Sequence, residues 1–176
     1  MANILVTGWE GFIGNATARR LKKEGHFIVG FEKEENSAKK PVDCVDVSIR
    51  GDMRDYHLLR RVITEYEIDE VYQFASWPIA RTCSNDPVTT FDINVMGLVS
   101  LLEACRHSGQ NVKRIIISTS DKAFGKAPVP YTEESPLQPL FAYDTSKACQ
   151  QLIALSYFHN YALPVVVVAC SNVYGP

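Results

Sequence analysis

Six runs of apolar and β-branched residues recur along the chain with helical stretches between them, and no other feature narrows the choice of fold so far. The runs are Asn3 to Thr7, Phe27 to Glu32, Asp43 to Val47, Glu70 to Ala75, Arg114 to Ser118 and Pro164 to Cys170. They are continuous, as strands covered on both faces require. Between them, Leu58, Leu59, Val62 and Ile63 mark one amphipathic helix, and Phe91, Val95, Leu98, Leu102 and Cys105 mark a longer one. A third is predicted after Pro139, with Ala148, Leu152 and Leu155 on its apolar face. Strand and helix in strict turn, joined by right-handed crossovers, give a doubly wound parallel sheet of about six strands in a three-layer α/β/α arrangement. The 176 residues fill one domain. The polar stretch Lys33 to Pro41 reads as a surface loop, and Gly125 to Pro139 as a longer irregular one.

Charge and cysteine content exclude several function classes. With 18 basic and 20 acidic residues the formal net charge is -2, which offers no electrostatic footprint for nucleic acid or an anionic membrane. The longest apolar run, near Val165 to Cys170, falls far short of the ~20 residues of a membrane helix. The start, Met1-Ala2-Asn3-Ile4-Leu5-Val6, lacks the basic residues and cleavage site of a secretory signal. Cys44, Cys83, Cys105, Cys149 and Cys170 contain no C-x-x-C, and none stands at metal-ligand spacing from His26, His57, His107 or His159. Reduced, packed thiols in a cytoplasmic protein without a metal site are the expectation.

Directly after the first strand comes Thr7-Gly8-Trp9-Glu10-Gly11-Phe12-Ile13-Gly14, and a helical stretch follows through Ala16 and Leu21. A dinucleotide fold asks for glycine at three points: the tight turn, the approach of backbone to a pyrophosphate, and the contact of helix with sheet. The helix N-terminus then presents free N–H groups and a positive dipole end to the phosphates. This is the arrangement of a Rossmann fold. Glu32 ends the second strand, where an acid holds the ribose hydroxyls of an adenosine. It would repel a 2′-phosphate and so favours NAD over NADP, although Lys33 beside it works the other way.

Downstream, Tyr143-Asp144-Thr145-Ser146-Lys147 places a tyrosine and a lysine four apart at the start of a helix, one turn above each other on one face. A phenol is a poor base at neutral pH, but an adjacent ammonium and an oxidised nicotinamide both favour its phenolate. It can then take a proton from a sugar hydroxyl. With these motifs the chain resembles the extended short-chain dehydrogenase/reductases, specifically the NAD-dependent sugar-nucleotide epimerases and dehydratases. The matching pieces cover nearly the whole chain. They are the glycine turn, Gly51-Asp52-Met53-Arg54-Asp55, Asp86-Pro87, Asn94-Val95-x-Gly97, Ser118-Thr119-Ser120 with Gly125, Tyr143-x-x-x-Lys147, and Asn172-Val173-Tyr174-Gly175-Pro176.

The resemblance implies a role for each position. Gly8, Gly11, Phe12, Ile13, Gly14 and Glu32 would hold NAD, Asp52 and Met53 would lie against the adenine, and Phe74, Ala75, Ser76 and Ser118 would border the cofactor. Asn94 would support this site. Ser120 corresponds to the catalytic Ser/Thr on the sugar's C4 oxygen, Tyr143 to the base, and Lys147 to its helper, which also holds the nicotinamide ribose. Asn172 corresponds to a substrate contact. Asp121 and Lys122 follow Ser120 where 4,6-dehydratases carry an acidic residue and a second functional group, and the run resembles the CDP-glucose 4,6-dehydratase version. A surface ion pair between them is the plain alternative. Where the family commonly has Arg, Tyr and His, this chain has Ala169, Phe124 and Gln73. The resemblance further implies a nucleotide-sugar substrate and a homodimer through the long helices carrying Asn94 and Tyr143. Residues 1–176 then form the NAD-binding domain with the catalytic residues, and the substrate domain is largely absent. The alternative is a truncated NAD-binding module without turnover.

Overall fold

The computed structural model describes residues 1–33, 42–109 and 111–175. Its centre is a sheet of six parallel strands in the order β3-β2-β1-β4-β5-β6. They are β1 (Asn3–Thr7), β2 (Phe27–Glu32), β3 (Val47–Arg50), β4 (Glu70–Gln73), β5 (Arg114–Ser120) and β6 (Val165–Cys170). The helices are α1 (Phe12–Lys23), α2 (Tyr56–Glu65), α3 (Ala80–Asn85), α4 (Pro87–Phe91), α5 (Gly97–His107) and α6 (Ala142–Tyr161). Between α4 and α5, residues Asp92–Met96 form a π turn, so the predicted long helix carries a change of pitch. The short helix α3 has no counterpart in the sequence reading.

Alternating side chains sort the core into two layers. On one face Leu5, Val29, Phe31, Val71, Ile115 and Ile117 pack with Leu59, Val62 and Ile63 of α2, Leu98, Leu101 and Leu102 of α5 and Ala154 of α6. On the other, Ile4, Val6 and Ile28 pack with Trp9 and with Ala18 and Leu21 of α1. The crossover helix thus changes face between β1 and β4, and this switch opens a crevice at the carboxyl ends of the strands. Helix α2 is started by Asp55, whose carboxylate accepts from Leu58 N at 2.9 Å.

Two expectations are corrected. The third strand was predicted at Asp43 to Val47, but residues Val42–Cys44 form a 3-10 turn and β3 begins at Val47. Asp46 is the reason: its N–H donates to Ile28 O, and its carboxylate accepts from Ile28 N, each at 2.8 Å, so the chain is pinned crosswise before the strand can start. Cys44 and Val45 still enter the core, which is why the run looked like a strand. Leu152 and Leu155, predicted on the inner face of α6, are 59% and 48% exposed. The inner face is instead Asp144, Ser146, Lys147, Ala148, Gln150, Gln151 and Ala154.

The stretch Gly125 to Pro139 contains neither helix nor strand, as expected, while residues 34–41 of the predicted polar loop and Pro176 lie outside the described residues. By length and hydropathy the Pro87–His107 run could cross a membrane, yet 44% of the tested window is buried inside the fold. None of the five cysteines forms a disulfide among the described residues. Leu101, with no exposed surface, sits among α2, α5 and the sheet. Leu101→Ala is expected to cost about 3 kcal/mol in urea unfolding.

Candidate functional site

The glycine turn folds tightly enough to leave no room for side chains. Gly8 has φ +69°, and a Cβ on it would stand 2.7 Å from Ala75 N; a Cβ on Gly14 would stand 2.1 Å from Gly8 O. Gly8 N–H donates to Phe31 O at 2.9 Å, and Gly11 N–H to Gly8 O at 3.0 Å. Helix α1 then starts without a side-chain cap and without an acid in its first turn. Its first N–H groups and positive dipole end are left for a ligand anion.

This turn forms one wall of a cleft of about 740 Å³ at the carboxyl edge of the sheet. Gly8, Gly11, Phe12, Ile13 and Gly14 line one side, with Glu32, Asp52 and Met53 beyond them. Phe74, Ala75 and Ser76 follow β4, and Ser118, Ser120, Lys122, Tyr143, Lys147 and Asn172 line the far end. Two nominated residues are not on its surface. Asn94 is 1% exposed, and its side chain is consumed elsewhere: Oδ1 accepts from Trp77 N at 2.7 Å, and Nδ2 donates to Trp77 O at 3.2 Å and Ser146 Oγ at 3.0 Å. It braces the cleft wall from behind. Asp121 lies one layer back, its Oδ1 accepting from Ser120 Oγ at 3.2 Å.

Beside Glu32, Lys33 Nζ stands 3.6 Å from Asp52 Oδ2, and Arg54 grips both oxygens of Asp52 at 2.9 and 2.7 Å. The Arg54 guanidinium holds the Asp52 carboxyl down at about 2. The lysine that opposed the Glu32 argument therefore leans on an acid of its own. Gln73, in the place of the family's histidine, donates from Nε2 to Ala75 O at 2.5 Å and so props the loop beneath the turn. Phe124, in the place of tyrosine, stacks on Tyr131 with ring centroids 4.9 Å apart.

At the far end of the cleft, Ser120, Tyr143 and Lys147 come together from β5 and α6. The Ser120 hydroxyl also accepts from Lys122 N at 3.3 Å, and Asp121 and Lys122 form no ion pair among the described residues. Lys147 is 3% exposed. Its ammonium donates to Ser118 O at 3.2 Å and Gln150 Oε1 at 3.1 Å, and lies 5.8 Å from the Tyr143 ring centroid. Burial pulls the Lys147 ammonium down to about 8. Burial also pushes the Tyr143 phenol above its ordinary value, partly offset by hydrogen bonding with Ser120. This direction runs against the phenolate expected from the Tyr–Lys spacing. Trp77, Ile93 and Cys170 also line the cleft and were not nominated. Trp77 directly follows Ser76, and Ile93 directly precedes Asn94, so adjacency was the available signal.

The model of the family described as GDP-mannose 4,6 dehydratase matches residues 5–176. A UDP-glucose 4-epimerase of Lacticaseibacillus casei is 32% identical over 173 residues, covering 98% of this chain and 52% of its own length. A CDP-glucose 4,6-dehydratase of Salmonella typhimurium is 30% identical over 168 residues, covering 92% and 46%. Among solved structures, DesIV, a dTDP-glucose 4,6-dehydratase from Streptomyces venezuelae with NAD bound, superposes with a TM-score of 0.89 at 29% identity, covering 99% of this chain and 57% of that one. A Thermus thermophilus UDP-glucose 4-epimerase complex with NAD gives 0.86 at 29% identity, covering 99% and 56%. The chain spans about half the length of the curated relatives it matches.

Because the Lys147 ammonium is depressed from 10.5 to about 8, the unfolded chain binds a proton between those values that the folded chain does not. Its contribution to stability therefore rises with pH through that window. Lys147→Met is expected to remove this rise, read from urea midpoints measured across it; parallel curves for the two proteins would contradict the assignment.

Proposed function

Since the chain belongs to the GDP-mannose 4,6 dehydratase family, we propose that it is the NAD-holding and catalytic part of an enzyme acting on a nucleoside-diphosphate hexose through a 4-keto intermediate. The observation that carries this reading is the single cleft, with the uncapped glycine turn at one end and Ser120, Tyr143 and Lys147 at the other. The residues present fit NAD. Gly8, Gly11 and Gly14 leave the α1 N-terminus open to a pyrophosphate, Glu32 offers a carboxylate to ribose hydroxyls, and Asp52 and Met53 border the adenine position.

Bound NAD would supply a reversible hydride acceptor. The chain's residues would do the rest. Ser120 would hold the sugar's C4 oxygen, and Tyr143 would take the hydroxyl proton as carbon 4 is oxidised. Lys147 would favour the phenolate and hold the nicotinamide ribose. Asn172, exposed at the cleft, would contact the sugar nucleotide. Lys122 lines the cleft and Asp121 is hydrogen-bonded to Ser120, which favours 4,6-dehydration over simple epimerisation. In that reaction the C4 ketone would acidify the C5 proton; one of these two side chains would remove it while the other protonated the C6 hydroxyl, which would leave as water, and the hydride taken from C4 would return to C6 as a proton is added at C5. Leu152, Leu155 and Phe158 form an exposed apolar stripe on α6 and suit a homodimer. Five cysteines outside any disulfide suit a cytoplasmic location. The second reading is a module that binds NAD without turnover.

Calorimetric titration is expected to show NAD binding by the chain, lost in Gly14→Ala, whose Cβ would meet Gly8 O, and kept within a few-fold in Tyr143→Phe. Incubation with CDP-, UDP-, GDP- and dTDP-hexoses is expected to give the 4-keto-6-deoxy chromophore, abolished in Tyr143→Phe. Turnover surviving in that variant would remove Tyr143 as the base. NAD binding with no affinity for any sugar nucleotide would establish the module reading.

A further inference from the structure

The helical run from α4 to α5 changes pitch at Asp92–Met96. A π turn closes its ring over five residues instead of four and disturbs the regular ladder of main-chain carbonyls. In the middle of this turn, Asn94 O accepts from Gln150 Nε2 at 2.7 Å. The other end of the same carboxamide, Oε1, accepts from Lys147 Nζ at 3.1 Å. Gln150 is 0% exposed, so no water competes for either bond.

We propose that Gln150 is a positioning residue, its side-chain amide tying the Lys147 ammonium to the Asn94 carbonyl so that the π turn fixes where the ammonium stands beside Tyr143. This deepens the functional reading given above, and its catalytic meaning rests on it. A lysine head sits on a flexible four-carbon stem and holds one place only when several acceptors surround it. Here β5 supplies one through Ser118 O, and Gln150 supplies the other. The two halves of the site are thereby fixed from one residue. The Asn94 side chain holds Ser146, whose hydroxyl donates to Tyr143 O at 2.7 Å, while the Asn94 main chain holds Lys147 through Gln150.

The acceptor is neutral, and this matters for the proton. Tyr143 from the same helix, Cys83 from α3 and Cys170 from β6 face the ammonium, and burial leaves it at about 8. A carboxylate in place of the amide would lock the charge on; an apolar side chain would leave the ammonium with Ser118 O and would orphan Asn94 O.

The test is a titration of the whole chain carrying lysines labelled at Cε with carbon-13, with the Lys147 resonance assigned by its loss in Lys147→Arg. Gln150→Met, of similar length, is expected to lower the Lys147 midpoint by about one pH unit, and Gln150→Glu to raise it by about as much. A glutamine that merely filled space would lower the urea midpoint of the variants and leave the Lys147 titration where it was, and that result overturns the proposal. If Gln150→Met does not fold, the Gln150→Glu shift decides alone. NAD titration of the same proteins separates the two claims. Unmoved Lys147 midpoints in the variants overturn the role of Gln150 whatever NAD does; moved midpoints in the variants, with a wild-type chain that binds no NAD, uphold it and overturn the functional reading.

Discussion

The rest of the structure depends on the contact between Gly14 and the carbonyl of Gly8. A methyl group there would lie 2.1 Å from the oxygen, so the first turn of α1 can press onto the end of β1 only without a side chain. The same carbonyl receives the Gly11 N–H, and the Gly8 N–H is spent on Phe31 at the end of β2. Because Gly8 also runs under Ala75, the ends of β1, β2 and β4 and the start of α1 are locked together within eight residues. Parallel register then delivers the end of β5, with Ser118 to Ser120, to the same edge. The distance between a bound pyrophosphate and Tyr143 is in this sense set at Gly8.

Helix α6 shows what a buried polar face does to ordinary amphipathicity. Its inner face is polar, built from Asp144, Ser146, Lys147, Gln150 and Gln151, and each of the last four is spent in a bond to a neighbouring group. Gln151, for example, donates to Thr119 Oγ1 at 3.1 Å. Buried polar groups survive only when satisfied, so this face is a network and not a gap in the core. The apolar residues are displaced to the outside, where Leu152 and Leu155 stand half-exposed.

How far the sequence carried therefore depended on whether periodicity or chemistry was being read. β1 and β2 were legible to the residue because both lie buried on two faces and end in glycine or charge. β3 was not, because the apolar pair Cys44 and Val45 enters the core from a turn that Asp46 pins crosswise. The glycine turn and the Tyr–Lys pair could be placed from spacing alone, since each has a mechanical reason for its interval. Asn94 could be singled out but not assigned, because nothing in a sequence shows that both ends of its amide are taken by Trp77 and Ser146. Gln150 was invisible for a similar reason: three residues beyond Lys147 it reads as an ordinary helical glutamine, and its importance comes from a π turn that no local pattern announces.

The two edges of the sheet differ in a way that bears on how the chain folds. β3 sends Ser48 and Arg50 outward, and a charged residue on an edge discourages another strand from pairing with it. β6 has no such guard. It carries Val165 through Val168 in succession, with Val166 and Val168 47% and 40% exposed on the face opposite Val165 and Val167. Parallel strands pair late because the intervening helices must close first, so this valine edge is uncovered for longest while the chain is still collapsing. Productive folding and strand-to-strand self-association compete for the same hydrogen-bonding groups there, and chain concentration during refolding tips the balance between them.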